Sequence, residues 1–448
     1  MARKSLLILI VLLSLKEAAA QSTISSDANN TASKVFGSLN ELLEYTSINS
    51  ITLQNNSIKL DQAKKSKLAA IIGTIDVTGN LLSNQFTNNT RLPVNIFPAE
   101  IFGGTPGTFQ EVQTGVQYNT NVTNYADIKI INPVGWSNLK LAKINIDLST
   151  SNNQISLKNL QENIANNYYN IINVLEQLES TKQNLAVADT LYQITKNKFN
   201  EGLLNKQTLN DSKINYLNTK ENIHQLDYLL IQYYLSLKLL CDIPEEENIK
   251  IKRIESAKDS LTTENVELNK LALNNSLLQE KYALTNLKNA KAAFLPTLSL
   301  QLSNSNNLYN SEFDPLSGNW INSNYIGVKM TLPIPSSQNI SKKFNAKFDY
   351  KLAKNNSEQA RIQANLDQKS LENDYEKALS QYKNNIEIIS LAKESFYKNQ
   401  NLYEEGVINL ETVLNSYTDM VSAQFNFIIS EVNVQLAKSK ININNNIR

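Results

Sequence analysis

One cysteine, one histidine, nine prolines, twelve glycines and two tryptophans among 448 residues leave several kinds of protein out of reach. A lone cysteine, Cys241, cannot close a disulfide within the chain, and it reads as a buried small apolar side chain. The lone histidine, His224, lies between Ile223 and Gln225 in a helical pattern. One imidazole makes neither a catalytic triad nor a usual metal cluster, so His224 reads as structural. No P-loop or dinucleotide fingerprint occurs, and Glu245-Glu246-Glu247 reads as a solvated connector, so no catalytic, cofactor or metal residues are nominated. An excess of either charge is lacking too: 43 Lys and Arg stand against 42 Asp and Glu, which removes the basic field that nucleic acid requires. Past residue 15 no run of about 18 apolar residues occurs, so any membrane insertion falls to β-strands. A mean hydropathy of −0.34 fits no bundle of membrane helices.

The beginning of the chain reads as a signal peptide over residues 1–20. Arg3 and Lys4 form its basic end, Leu6 to Leu15 its apolar core, and Ala18-Ala19-Ala20 a small-residue cleavage site. Export from the cytoplasm follows, and the absence of a cysteine after the cleavage site argues against a lipid anchor.

What is present is a repeat. Phe199-Asn200-Glu201-Gly202-Leu203-Leu204-Asn205 returns as Tyr403-Glu404-Glu405-Gly406-Val407-Ile408-Asn409, and Thr208 and Ser212 return at the same offsets as Thr412 and Ser416. A glycine between two long helical patterns reads as a tight turn, because glycine accepts positive φ without steric cost. The pattern divides the chain into two tandem repeats, 21–247 and 248–440, followed by a disordered Asn-rich tail, 441–448.

Each repeat runs helix, strand, loop, strand, very long helix, glycine turn, helix. In the first, Ser38 to Glu41 forms a capping box and a second helical pattern runs from Ile51 to Ala70. The alternation Thr74-Ile75-Asp76-Val77-Thr78 predicts a strand over about 71–80, and Tyr125 to Ile130 lies in another over about 118–133. Gly79 to Val116 reads as a long loop, and Pro133 ends the second strand. A helix from about Asn138 to Asn200 carries Leu157, Leu160, Ile164, Tyr168, Ile171, Leu175 and Leu178 on one seam. After a charged connector, Ile249 to Thr263, the plan restarts with a helix over Leu268 to Ala293. Strands follow over about 296–304 and 323–334, with a loop over 304–323 between them. The next long helix has Tyr375, Leu379, Tyr382, Ile386, Ile389 and Phe396 on its seam. The expected fold class is mainly α with membrane β: long α-helical hairpins with two β-strands per repeat.

Four strands cannot close a barrel, whereas three copies would supply twelve. The other reading of these strands is a small soluble β-layer packed on the helices. In the barrel reading Ile75, Ile128, Leu298 and Val328 face lipid, and Trp136, Trp320, Tyr309 and Tyr325 lie where interfacial aromatic girdles occur.

Over essentially the whole mature sequence the chain resembles the TolC family of outer-membrane efflux proteins. The resemblance rests on the duplicated plan, on Ala293-Phe294-Leu295-Pro296-Thr297-Leu298 entering a strand, on Thr331-Leu332-Pro333-Ile334 leaving one, and on the two aromatic-x-x-Gly turns. It implies a homotrimer with a twelve-stranded barrel in the bacterial outer membrane and an α-helical periplasmic tunnel. It also implies that the tunnel tip meets a periplasmic adaptor protein and an inner-membrane pump, in a tripartite efflux or type I secretion system. Such a channel is a passive conduit for small molecules or proteins. By position, Gly202, Leu203, Leu204, Gly406, Val407 and Ile408 correspond to the adaptor-docking tip, and Thr208, Asp211, Glu411, Thr412 and Asn415 are pore-gate candidates. The family often carries acids six and nine residues after the second tip glycine, where this chain has Thr412 and Asn415. The expected constriction is therefore polar, with at most one acidic ring. The reading from another class is a periplasmic coiled-coil adaptor or scaffold without a pore.

Overall fold

The structure is a computed structural model that describes residues 34–86, 94–113, 118–252, 270–312, 314 and 318–446. The expected signal peptide and most of the charged connector lie outside the described residues. In chain order the elements are β1 (Lys34–Phe36), α1 (Leu39–Asn49), α2 (Ile51–Ile75), β2 (Val77–Phe86), β3 (Val94–Pro98), β4 (Phe109–Gln113) and β5 (Tyr118–Ile131). Next come α3 (Pro133–Asn200), α4 (Lys206–Leu240), β6 (Ile249–Ile251), α5 (Leu271–Ala292), β7 (Thr297–Asn310), β8 (Trp320–Thr331), α6 (Ser337–Glu404) and α7 (Leu410–Asn446). Helices α3 and α6 have 68 residues each. At about 1.5 Å per residue each is on the order of 100 Å long.

Local chemistry starts and stops these helices. At α1 the Ser38 hydroxyl accepts from Glu41 N, and the Glu41 carboxylate accepts from Gly37 N at 2.7 Å. At α3 Pro133 occupies the first turn, where its missing N–H costs nothing, and the Asn132 side chain accepts from Gly135 N at 3.0 Å. The same Asn132 amide donates to Gly73 O in α2. A Cβ on Gly135 would lie 2.6 Å from that carbonyl, so the end of α2 and the start of α3 approach closely only because residue 135 has no side chain. Strands β2, β5, β7 and β8 form one antiparallel sheet in that order, which leaves β2 and β8 as edges without a further partner among the described residues. Far from the sheet in sequence, β1 pairs in parallel with β6. That small sheet, α1, α3, α4 and Ile443 of α7 enclose a core around Leu42, Ile164, Tyr168, Ile171, Leu237 and Cys241.

Several expectations are corrected. Residues 71–75, expected in a strand, belong to α2; Asp76 turns the chain with φ of 46° and its N–H returns to Ile72 O, so β2 starts only at Val77. Ile75 is therefore helical, and the five-residue alternation there is a coincidence too short to outweigh a continuing helix. Residues 79–86, expected in a loop, continue β2, and a hairpin of β3 and β4 follows. The loop expected at 304–323 narrows because β7 runs to Asn310 and β8 starts at Trp320. In both places cross-strand pairing overrides an Asn-rich composition that disfavours strands. Pro133 does end β5, but it also opens α3, five residues ahead of the expected start. Residues 249–251 of the connector form β6. Residues 441–446 of the tail are helical and not disordered: α7 runs to Asn446, Ile441 and Ile443 are buried, and Lys158 donates to Asn444 Oδ1 at 2.8 Å.

Candidate functional site

Two places in the fold combine exposed chemistry with regular geometry: the four-stranded sheet and the paired glycine turns. The register of the sheet sorts its side chains by face, since directly paired residues point the same way and neighbours along a strand point oppositely. One face carries Val77, Ala126, Ile128, Leu298, Leu300, Leu302, Ile326, Val328 and Met330, in rows set by Ile128↔Leu300↔Val328 and Ala126↔Leu302↔Ile326. The other carries Thr123, Tyr125, Asp127, Lys129, Ser299, Gln301, Ser303, Ser305 and Lys329. On that polar face the Asp127 carboxylate accepts from Tyr125 and Gln301, Lys129 pairs with Asp76, and the Thr123 and Ser305 hydroxyls meet at 2.6 Å. Charge is thus confined to one face and aliphatic area is concentrated on the other, although exposed Ile321 follows the polar face through its pairing with Asn307. Trp320 follows the apolar face, whereas Tyr309 and Tyr325 belong to the polar one and so leave the aromatic girdle proposed for them.

The two glycine turns are built alike to the level of single hydrogen bonds. Gly202 and Gly406 have φ of 77° and 80°. Gly202 N–H reaches Phe199 O and Leu203 N–H reaches Lys198 O; Gly406 N–H reaches Tyr403 O and Val407 N–H reaches Leu402 O. This pair of bonds is the Schellman termination, which satisfies the last carbonyls of α3 and α6. The following helices start alike as well. Asn205 Oδ1 accepts from Thr208 N and Oγ1 at 2.9 and 3.0 Å, and Asn409 Oδ1 accepts from Thr412 N and Oγ1 at 3.0 and 2.8 Å. The Thr208 and Thr412 hydroxyls therefore serve helix capping. After each glycine one aliphatic residue stands in solvent, Leu203 at 67% and Val407 at 65% exposure. The next, Leu204 or Ile408, packs onto a core of Leu191, Phe396, Tyr403, Leu410, Val413, Tyr417 and Met420.

Between the turns lies an open cleft of about 940 Å³. Of the nominated residues, Leu203, Leu204, Thr208, Asp211, Gly406, Ile408, Glu411 and Asn415 line it, and Gly202, Val407 and Thr412 do not. Asp211 accepts from Gln207 at 2.9 Å, and Glu411 stands exposed in the first turn of α7. Sequence reasoning missed the residues that fasten the two turns together. Lys198 donates to Tyr403 O and lies 4.5 Å from the centroid of the Tyr403 ring, while the buried Thr195 hydroxyl and the Tyr403 phenol are 3.0 Å apart. Burial holds the Tyr403 phenol above its ordinary pKa, opposed by the bond to Thr195. The only signal for this link was an aromatic residue three positions before each glycine. Glu201, Glu404 and Glu405 also line the cleft and make it acidic beyond Asp211 and Glu411.

Among the described residues no helix is long and apolar enough to cross a membrane, and none of their His, Cys, Asp and Glu side chains group as a metal site. Residues 263–441 match the family model described as outer membrane efflux protein. In fold, nearly the whole chain is similar to solved outer-membrane channels. VceC, an outer membrane protein of Vibrio cholerae, aligns with a TM-score of 0.72 at 14% identity, over 91% of this chain and 95% of that one. The CmeC outer membrane channel of Campylobacter jejuni gives 0.68 at 16% identity over 96% and 93%. The open state of the MtrE outer membrane channel of Neisseria gonorrhoeae gives 0.65 at 15% identity over 91% and 88%. No curated protein matches the sequence.

Proposed function

We propose that this protein is the outer-membrane channel of a tripartite efflux or type I secretion system, a passive conduit that acts as a homotrimer and catalyses no reaction. The observation that carries the reading is the sheet. It has four strands, two edges without a partner among the described residues, one uncharged face that is aliphatic toward the helices and one polar, charged face, and it stands on helices about 100 Å long. Unpaired edges are costly unless another chain completes them. Three copies joined β8 to β2 would close twelve strands, with aliphatic side chains toward lipid and the Asp127 and Lys329 face toward water. The tandem repeats supply the helical hairpins of a water-filled tunnel below.

At the tunnel's tip, Leu203 and Val407 are the residues offered to a periplasmic adaptor, with Leu204 and Ile408 anchoring them from behind. The pump behind that adaptor would supply the energy. Asp211, Glu411 and Asn415 line the cleft at the constriction, and Thr208 and Thr412 hold the helix starts that place them. Replacing Asp211 and Glu411 with Ala should weaken block of the pore by multivalent cations; unchanged block would remove both from the gate. The reading as a whole is tested by single-channel conductance of the purified protein in planar bilayers, with its mass in detergent measured in parallel. A conducting trimer is expected, and a monomer that conducts nothing would sink the proposal.

A further inference from the structure

The apolar face of the sheet does not continue to the outer ends of the strands. From Ile326 it runs the other way, toward the helices: Ile326, Val328 and Met330 stand exposed at every second position of β8, and exposed Leu332 and Ile334 follow just past the end of the strand. The four strand steps from Ile326 to Met330 at about 3.4 Å, tilted as barrel strands are, give on the order of 10 Å of height, and Leu332 and Ile334 carry the exposed aliphatic run on toward the helices. Outward of Ile326 the same face becomes a belt of amides. Asn304 pairs across the sheet with Asn324 and Asn124, and Asn306 with Asn322. Asn322 donates to Asn306 at 2.8 Å, Asn306 to Asn304 at 3.0 Å, and Asn304 to Asn324 at 2.6 Å. Trp320, paired with Leu308, closes the belt at its outer end.

We infer that this belt is a binding surface for the sugar headgroups of glycolipid in the outer leaflet, an inference that rests on the membrane reading above. Hydrocarbon is an unsuitable neighbour, because each primary amide has two donors and two acceptor sites and the chain of bonds uses only part of them. Leaving amide groups without partners in an apolar medium costs several kcal/mol each. Phosphate is not what the belt is built for, since no Lys or Arg is found on this face from Trp320 to Met330 or from Leu298 to Leu308. Sugar hydroxyls both donate and accept, as amides do, and an aromatic ring offers the flat surface that a sugar's C–H face covers. Whatever covers the aliphatic band continues directly onto the belt, and beyond the hydrocarbon of a glycolipid leaflet the next layer is carbohydrate.

The test uses the full chain in phosphatidylcholine vesicles with and without rough lipopolysaccharide, in the W136F protein, where Trp320 is the only tryptophan. Acyl chains carrying bromine should quench Trp320 at least about threefold less than a tryptophan placed in the apolar band, V328W in the W136F/W320F background. Lipopolysaccharide should lower quenching of Trp320 by aqueous acrylamide about twofold or more, and replacing Asn304, Asn306, Asn322 and Asn324 with Ser should abolish that protection. Acyl bromine quenching Trp320 as strongly as the in-band probe, or protection unchanged in the Ser variant, overturns the inference while leaving the barrel in place. Acyl bromine that quenches neither probe overturns the membrane reading, and this inference with it.

Discussion

Helices α3 and α6 have the same length and the same place in their repeats, yet α3 is a buried strut and α6 an exposed one. α3 buries Ile144, Ile164, Tyr168, Ile171, Val174, Leu178 and Leu191, because it packs against α2, α4, α5 and α7. α6 packs against α5 and α7 and leaves Phe344, Phe348, Leu352, Ile362 and Leu366 more than half exposed. Equal helices with unequal burial mean that one subunit completes the surroundings of α3 and not those of α6. In the trimer reading the missing neighbour is another copy. The sharpest way to break the comparison is one truncation on each helix. Ile171→Ala, at a fully buried position, should cost about 2–5 kcal/mol in denaturant unfolding. Phe344→Ser together with Phe348→Ser should cost a subunit little and should abolish assembly, read by light scattering. Equal losses of subunit stability at both sites would remove the distinction.

Alkali probes the same asymmetry, since the core around α3 holds the groups that burial affects most. Burial pushes the Tyr168 phenol from 10.0 up to about 12 and the Cys241 thiol from 9.0 up to about 11. Both are raised in the folded state, so their neutral forms favour folding fully below about pH 9. That contribution is lost as the pH climbs to about 12, because the unfolded chain releases these protons first. The midpoint of urea unfolding should therefore fall across this window, and Tyr168→Phe should make the fall shallower. The Cys241 thiol should resist alkylation at pH 8 until the chain is unfolded.

A smaller effect separates what the sequence made legible from what it hid. Asp242 reads as part of a helix-breaking run, Asp242-Ile243-Pro244. In the folded chain its carboxylate accepts from Ile51 N at 2.9 Å and from the Ser50 hydroxyl at 3.1 Å, and so caps α2 from 191 residues away. Asp242→Ala should cost about 1–2 kcal/mol, as loss of a local helix cap does. A cost near zero would assign the cap to water. Periodicity made the long helices legible, with Ile164, Tyr168, Ile171, Leu178, Tyr375 and Phe396 buried on their seams, although Ile386 is exposed. Glycine chemistry made both turns legible. Strand length was not, because Asn-rich segments such as 304–310 gain β-structure only from a partner strand that local propensity cannot see. The cap by Asp242, the pairing of β1 with β6 and the bond from Lys198 to Tyr403 were hidden for the same reason: each joins residues far apart in the chain. The tip residues could be nominated by position, but the acidic surround of Glu201, Glu404 and Glu405 appears only when two turns some two hundred residues apart share one cleft.

The smallest expected effect is the one on which the two repeats should agree. A Cβ added at Gly202 or at Gly406 would meet nothing within 4 Å, so substitution there carries no steric clash with the surroundings. What remains is the cost of holding an L-residue at φ near 77° or 80°, about 1 kcal/mol for Ala and less for Asn, which tolerates the left-handed region. Gly202→Ala and Gly406→Ala should therefore destabilise by the same amount to within a few tenths of a kcal/mol. This should hold even though the helices leading into them differ so much in burial. Equality would place the duplication's common constraint in backbone geometry, which depends only on the turn itself, while the helices drifted apart because their neighbours differ. A cost of several kcal/mol at one glycine alone would mean that the turn there is gripped by a contact the other lacks, and the tightest candidate is the Lys198 ammonium on the carbonyl and ring of Tyr403.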